Sequence, residues 1–268
     1  MTSRKDPSAP VGKSLADGPT FVDPPSMFTL DVSGMRITES PLLASLTAED
    51  STGTSPLAEA HREMQRIEDG AVKNPDENRQ VTHFTDRTTY PDSDLYKDVA
   101  EFAEEIRADP RITAVVINGI GGSALGPQLM QHVVHGPYWN ELTPAKRGDY
   151  PRIYFLDNTD PAGLKDVLAA AAPSEMLVVN ISKSGGTRET HNNMRALENV
   201  YRDAAVPFNE HAVAVTMKGS RLDTYADDQQ WVKRFHMAES IGGRTSETNV
   251  VGHVPAAMTG IAFGRFLA

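Results

Sequence analysis

The segment from Ser182 to Thr190 combines hydroxyl, lysine and glycine residues in an order suited to holding an anion. An apolar run over residues 176–181 precedes it, and a pattern with apolar residues on one helical face follows it. This order predicts a strand, a tight loop and the start of a helix. Backbone N–H groups, hydroxyls and the helix dipole at such a position favour a phosphate dianion. The alternative is an ordinary turn capped by a single hydroxyl.

Similar loops follow the other predicted strands. Apolar runs over residues 113–118, 152–156, 176–181 and 211–216 predict four strands that are buried on both faces, as in a parallel sheet with helices between the strands. Each run ends in glycine or polar residues, in the loops 118–126, 157–161, 182–187 and 217–220. Because open α/β sheets bind ligands at the carboxyl ends of their strands, we expect these loops to form one site.

A helical lead-in is predicted ahead of this sheet. Ser55 is expected to cap a helix from Pro56 to about Ile67, and a second amphipathic helix is expected from Asp94 to Ala108. We therefore predict three parts: an irregular or disordered arm over residues 1–54, the helical lead-in over 55–110, and a ligand-binding α/β domain over 111–268.

The composition excludes several classes of protein. A net charge of −10 argues against nucleic acid or an anionic membrane as the main partner. The sequence has no cysteine, which removes disulfides, thiolate nucleophiles and thiolate metal sites and is compatible with a cytoplasmic protein. The first residues lack the apolar core of a secretory signal, and no apolar run reaches the ~20 residues of a membrane span.

A dinucleotide site is a weaker alternative. The spacing of Gly119, Gly121 and Ala124 after a predicted strand superficially matches the dinucleotide fingerprint. The acidic residue expected about 20 residues later is absent, since the candidate Asp157 follows Gly119 only after a second helical segment. We therefore disfavour NAD and expect no cofactor.

Other clusters of polar residues are interpreted as structural. His132 and His135 share one helical face but have no third ligand at useful spacing, so we expect no metal site. The acidic segments 101–105 and 223–228 are interpreted as solvated faces or loops.

A glycine pair near the end of the sequence precedes an arginine. Gly242 and Gly243 allow the backbone to approach another group closely, and Arg244 then offers a fork of donors. The alternative is a glycine turn with a surface arginine ahead of a helix.

The stretches 119–126, 157–161, 182–190 and 242–246 together resemble the first sugar-isomerase (SIS) domain of the glucose-6-phosphate isomerase family in its bacterial form. Residues 74–87 resemble the helical lead-in of that family, and the likeness covers roughly residues 55–265. The resemblance implies a flavodoxin-like parallel sheet flanked by helices.

The resemblance also implies eight site residues. Those expected around the phosphate are Ser182, Lys183 through its backbone, Ser184, Thr187 and Thr190. Those expected around the sugar and the developing enediolate charge are Gly122, Ser123 and Arg244.

The implied activity is the interconversion of glucose 6-phosphate and fructose 6-phosphate through an enediol, without a cofactor, in a homodimer. The family's catalytic Glu, His and Lys belong to motifs of a second domain that do not occur in this sequence, and an apolar helical pattern runs to the last residue. We therefore expect a partial chain that carries the phosphate site without the base. Glu189 and Glu247 are interpreted as first-turn carboxylates and not as a replacement base. The alternative function is a sugar-phosphate-binding module that does not catalyse.

Overall fold

The computed structural model describes residues 20–23, 28–31, 55–74 and 78–267. The chain divides into two compact units, Met1–Ala71 and Val72–Ala268. The predicted boundary between a helical lead-in and a ligand-binding domain, at residue 110, stays a prediction.

The described residues of the first unit form two short strands and one helix. Strands β1 (Thr20–Asp23) and β2 (Phe28–Asp31) pair antiparallel, although the sequence pattern indicated an irregular arm over 1–54. The rest of that arm lies outside the described residues. Helix α1 (Pro56–Glu68) is confirmed, and the Ser55 hydroxyl caps it by accepting a hydrogen bond from the Ala58 N–H at 3.1 Å.

The second unit is built on a five-stranded parallel sheet. Its strands are β3 (Ala114–Gly119), β4 (Arg152–Leu156), β5 (Met176–Ile181), β6 (Ala212–Thr216) and β7 (Lys233–His236). The spatial order is β4-β3-β5-β6-β7, and all neighbouring strands run parallel. Counted along the sheet this is the 2-1-3-4-5 order of the flavodoxin-like fold, which confirms the predicted fold class.

The four predicted strands match β3 to β6, whereas β7 was missed. Its residues Lys233, Arg234 and His236 are polar and half-buried, and only Phe235 is buried. An edge strand of this kind lacks the continuous apolar run by which strands buried on both faces are identified.

Eight helices occur in the described part of the second unit. They are α2 (His83–Thr89), α3 (Asp94–Ala108), α4 (Gly122–His135), α5 (Pro161–Ala170), α6 (Arg188–Asp203), α7 (Arg221–Asp228), α8 (Val250–Met258) and α9 (Phe263–Leu267). Helices α3, α4 and α8 contribute to the core on one face of the sheet, while α5, α6 and α7 pack on the other. None of the described helices is long and apolar enough to cross a membrane.

The topology creates a crevice between β3 and β5. These strands are neighbours, with Gly119 in register with Ile181, yet the helices that follow them pack on opposite faces of the sheet. Ligands of open α/β sheets bind at such a switch point. The loops that begin at Ile120 and Ser182 therefore leave the sheet side by side where a ligand is expected.

Candidate functional site

The loop after β5 is held in a defined turn by its own residues. Ser182 is buried, and its hydroxyl donates to the Thr187 Oγ1 at 3.2 Å. Gly185 has a φ of 65°, which permits the turn, and its N–H donates to the Ser182 carbonyl oxygen at 3.3 Å. The Gly186 N–H donates to the hydroxyl of the exposed Ser184 at 3.1 Å. Three predicted phosphate residues thus lie within one compact turn.

The start of α6 has no side-chain cap. Thr187 occupies the N-cap position, but its side chain makes no capping hydrogen bond. The N–H groups of the first turn of a helix have no partner within the helix, so this 16-residue helix presents unsatisfied donors and the positive end of its dipole. Glu189 lies in this first turn, as predicted. The arrangement suits an anion with several acceptor oxygens.

The neighbouring strand β6 supports the loop from behind. The Thr216 hydroxyl donates to the Ser182 carbonyl oxygen at 2.6 Å, and the Met217 N–H donates to the Lys183 carbonyl oxygen at 3.1 Å. The Lys183 ammonium group donates to the Glu239 carbonyl oxygen at 2.7 Å. These contacts fix the turn before any ligand arrives, which lowers the cost of ordering it on binding.

A cleft of about 300 Å³ opens beside this loop and extends toward the start of α7. The predicted residues Ser182, Thr187 and Thr190 line it. The Thr190 side chain is 3% exposed, and its hydroxyl has no hydrogen-bond partner in the part of the chain that the structure describes. A buried hydroxyl without a partner is costly, so Thr190 marks a place where a polar ligand would satisfy it.

Three basic side chains that were not predicted also line the cleft. They are Arg188, His191 and Arg221, and all three are exposed. In a chain with a net charge of −10, two arginines at one cleft form a local positive field for an anion. The sequence carried a signal for Arg188, because it directly follows the 182–187 loop, whereas the place of Arg221 at the cleft depends on the packing of α7 beside α6.

The sugar-side residues form a second group at the start of α4. Gly121 turns the chain with a φ of 59°, and the half-buried Gly122 and Ser123 open the helix. A side chain at Gly122 would overlap the Gly243 carbonyl oxygen, so the two loops are in direct contact. None of these residues lines the cleft.

Arg244 lies on the loop that contacts Gly122. It belongs to a single turn of 3-10 helix, Gly243–Thr245, and its side chain is exposed. Within residues 55–74 and 78–267 it makes no hydrogen bond or ion pair, which leaves its donors available to a ligand. The predicted residues therefore fall into two groups: the loop after β5, beside the cleft, and the pair of contacting loops that carries Ser123 and Arg244.

The other two loops at this edge have structural roles. Asp160 caps α5 by accepting from the N–H groups of Ala162 and Gly163, at 3.0 and 3.3 Å. Ser220 caps α7 by accepting from the Asp223 N–H at 3.0 Å, and its hydroxyl lies 2.6 Å from Thr216 Oγ1.

The prediction that segment 223–228 is a solvated face was wrong for Asp223. This carboxylate is buried, forms an ion pair with Arg234 at 3.0 Å and lies 2.8 Å from His236 Nε2, within hydrogen-bond distance. It also accepts from the Gly219 N–H at 2.7 Å, and the N–H and basic partners hold its pKa below the usual value despite burial. The carboxylate thereby ties β7 to the loop behind the cleft.

The interpretation of Glu247 as a first-turn carboxylate was also wrong. Glu247 precedes Asn249, the N-cap of α8, and its side chain lies against Gly126 on α4. Burial raises the pKa of Glu247.

Of the two histidines on α4, His135 has a packing role. His135 stacks on Trp139 with ring centroids 3.8 Å apart, and its Nε2 lies 2.9 Å from the Thr259 carbonyl oxygen. Burial lowers the pKa of His135. Among the described residues, no group of three His, Asp or Glu side chains is arranged to hold a metal ion.

Comparisons with known proteins agree on one family. The family model described as phosphoglucose isomerase matches residues 56–268. A glucose-6-phosphate isomerase from Geobacter sp. (strain M21) is 42% identical over 230 residues, covering 79% of this chain, and one from Cyanothece sp. (strain PCC 7425 / ATCC 29141) is 38% identical over 256 residues, covering 89%.

Two solved structures superpose on most of this chain. The crystal structure of a glucose-6-phosphate isomerase from Chlamydia trachomatis superposes with a TM-score of 0.66 at 32% identity, over 78% of this chain and 42% of that one. A hypothetical protein from Thermus thermophilus superposes with a TM-score of 0.62 at 27% identity, over 79% of this chain and 46% of its own. The chain spans 42% of the length of the Geobacter relative and 45% of the Cyanothece relative. Because the family model matches residues 56–268 and the sheet has the flavodoxin-like strand order, the chain belongs to the phosphoglucose isomerase family.

Proposed function

We propose that the protein functions in the aldose–ketose isomerisation of glucose 6-phosphate and fructose 6-phosphate, and that this chain contributes the phosphate-binding half of the site. The observation that carries the proposal is the uncapped start of α6 behind a turn of hydroxyl residues, at the switch point of the sheet.

The phosphate group would occupy the loop after β5. Ser184 and Thr187 supply hydroxyls, Lys183 supplies its backbone N–H, and the buried hydroxyls of Ser182 and Thr190 lie at the same place. Hydrogen bonds to a charged group are worth on the order of 1.5–3 kcal/mol each, so a few of them suffice for a millimolar or tighter complex.

The sugar would extend toward the contacting loops. Gly122 and Ser123 offer the start of α4 to its hydroxyls, and Arg244 would face the oxygens of carbons 1 and 2. Negative charge develops on these oxygens when a base removes the proton from carbon 2 of the aldose, before a proton is returned to carbon 1. A guanidinium at that point stabilises the charged enediolate more than the neutral part of the substrate from which it forms, and this difference accelerates the reaction.

Calorimetric titration with glucose 6-phosphate tests the binding part of this proposal. Replacing Ser184 and Thr187 together with alanine should weaken binding at least about tenfold, because two charge-assisted hydrogen bonds are lost. Thr224→Ala is the matched control. It removes an exposed hydroxyl from α7, outside the loop after β5, and should bind like the parent chain. Equal affinity of the double variant and the control would refute the assignment of the loop.

Hydrogen exchange at carbon 2 separates catalysis from binding. We assign no general base to the described residues, so the chain by itself should bind glucose 6-phosphate without exchanging this hydrogen in heavy water. Exchange catalysed by the isolated chain would show that a base is present and that our assignment is incomplete. The test can be repeated with the remaining part of a family member added. If glucose 6-phosphate is then bound but still not exchanged, a non-catalytic sugar-phosphate module is favoured.

We further infer a homodimer in the cytoplasm. Leu125, Leu129 and Val133 form an apolar stripe along α4 at four-residue spacing, and they are 60%, 62% and 75% exposed. An apolar face of this kind supports a protein–protein contact. Light scattering of the chain and of Leu129→Glu tests it: the parent should dimerise and the variant should not.

A further inference from the structure

Residues 79–86 have no part in the proposed mechanism, but they contact the loop that carries Arg244, residues 240–249. Arg79 is only 8% exposed, and its Nη1 donates to the Ser240 carbonyl oxygen at 2.8 Å and to the Gln80 carbonyl oxygen at 3.2 Å. A side chain at Gly242 would overlap Arg79 Nη2, so the guanidinium lies directly against the backbone of the loop. A buried arginine is costly unless its donors are satisfied, and here the Arg79 guanidinium donates to the loop backbone at Ser240 and to the carbonyl of the neighbouring Gln80.

Two more contacts come from the same segment. The Thr82 hydroxyl donates to the Ser240 hydroxyl oxygen at 2.9 Å. One helical turn later, the side chain of the buried Asp86 lies near that of Asn249, which acts to lower the pKa of the carboxyl. Ser240 and Asn249 are the two ends of the loop that carries Arg244, so both ends are held by residues 79–86.

The middle of the loop rests on α4. The Gly243 backbone contacts Gly122, and the Glu247 side chain contacts Gly126. Arg244 itself is exposed and has no partner among the described residues. The backbone on either side therefore sets where the Arg244 side chain begins, since no contact of the side chain itself positions it.

We propose that Arg79 and Thr82 are positioning residues that hold Ser240 and thereby place Arg244 for the enediolate. The inference rests on the proposed function, in which Arg244 stabilises that charge. Electrostatic stabilisation of a transition state depends on a cation that is already in place, and a displacement of about 1 Å is enough to remove much of it.

A double-mutant cycle tests the proposal. The probe is a five-carbon aldonic acid 5-phosphate, since its carboxylate imitates the enediolate while its phosphate is that of the substrate. Thr82→Val and Arg79→Gln should each weaken probe binding roughly three- to tenfold, by loss of hydrogen bonds that fix Ser240. In an Arg244→Gln background the same changes should have no further effect, because residues that act through one another are not additive. Affinity for inorganic phosphate should not change in any variant.

Conservative variants make the test specific. Thr82→Ser keeps the hydroxyl and should bind the probe like the parent, and Arg79→Lys should restore part of the affinity. If Arg79→Gln does not fold, the Thr82 variants carry the cycle alone.

The outcomes separate two failures. Equal losses with and without Arg244, or equal losses for inorganic phosphate, would mean that residues 79 and 82 only stabilise the fold, and would overturn the inference while leaving the proposed function intact. If Arg244→Gln alone does not weaken the probe, the role proposed for Arg244 is wrong and the positioning role falls with it.

Discussion

Asn118 and Asn180 join the two strands that flank the crevice through a buried hydrogen bond, from Asn118 Nδ2 to Asn180 Oδ1, of 2.8 Å. Both side chains are fully buried. Asn118 Nδ2 also donates to the Thr190 carbonyl oxygen at 2.9 Å, and its Oδ1 accepts from Asn193 at 3.3 Å. One amide thus connects β3, β5 and the first turns of α6. The two strands and the helix that border the crevice are therefore joined by hydrogen bonds inside the core.

We predict that Asn118→Asp strongly destabilises the protein. The change keeps the shape but removes both donated hydrogen bonds and buries a carboxylate next to two acceptors, at a cost on the order of 3 kcal/mol or more. Urea unfolding followed by circular dichroism measures it. Asn192→Asp, the same change at an exposed position of α6, is the control and should stay within about 0.5 kcal/mol of the parent. A similar midpoint for Asn118→Asp and Asn192→Asp would contradict the prediction.

Gly185→Ala should damage the phosphate loop, whereas Gly186→Ala should not. Gly185 has a φ of 65°, and a Cβ there would overlap the backbone of Leu222. The left-handed conformation alone costs about 1–2 kcal/mol for a residue with a side chain, and the overlap must displace α7 or the loop. At Gly186 the nearest atom to a new Cβ is the Ser184 Oγ at 3.4 Å, an ordinary contact. Thermal unfolding and glucose 6-phosphate titration of both variants would check this, and equal behaviour of the two would argue against the turn described here.

Gly122→Ala should separate the two sugar-side loops. A methyl group at this position would overlap the carbonyl group of Gly243, so the loop carrying Arg244 must move away from α4. Gly243→Ala changes the other side of the same contact, and no atom lies within 4 Å of its new Cβ. We therefore expect the first variant to lose affinity for an enediolate mimic while the second retains it. Retention by both would show that Arg244 does not depend on this contact.

The stability of the protein should depend on the ionisation of Asp86. The carboxyl is 6% exposed, and burial raises its pKa from 3.8 to about 6, against the opposing hydrogen bond from Asn249. The folded state therefore holds this proton more tightly than the unfolded chain does. The stabilisation is complete below about pH 4 and is lost as the pH rises through about 6.

Asp86→Asn removes this dependence. Relative to the parent, the variant should gain stability between pH 4 and pH 7, by an amount on the order of 1–3 kcal/mol. Asp166→Asn, at an exposed position of α5, serves as the control and should show no such trend. A difference between Asp86→Asn and the parent that is constant across this range would contradict the raised pKa.

Strands β3 to β6 and the main helices follow from local sequence pattern, whereas β7 and the burial of Asp223 depend on contacts between distant parts of the chain. The strands β3 to β6 were predicted because strands buried on both faces must be continuously apolar. Strand β7 has lysine, arginine and histidine around a single buried phenylalanine, so its pattern does not distinguish it from a loop. Arg234 and His236, the partners that allow the Asp223 carboxylate to be buried, lie on this strand. The burial of Asp223 could therefore not be predicted without β7.

The candidate site divides in the same way. The turn over residues 182–187 could be predicted because glycines and hydroxyls between a strand and a helix have few other uses. Arg221 could not, since its place at the cleft depends on how α7 packs beside α6. Arg79 lies 161 residues from Ser240, and only the folded chain brings them together.

The central claim is that the loop after β5 binds the phosphate of a hexose 6-phosphate. Titration of the ¹⁵N-labelled chain with glucose 6-phosphate, followed through the backbone amide resonances, tests it most directly. We predict that the largest shifts occur at the amide of Lys183 and at the first-turn amides of Arg188 and Glu189 in the uncapped helix α6, that inorganic phosphate shifts the same amides, and that glucose shifts none of them. Saturable binding of glucose 6-phosphate with these three amides unmoved would contradict the account.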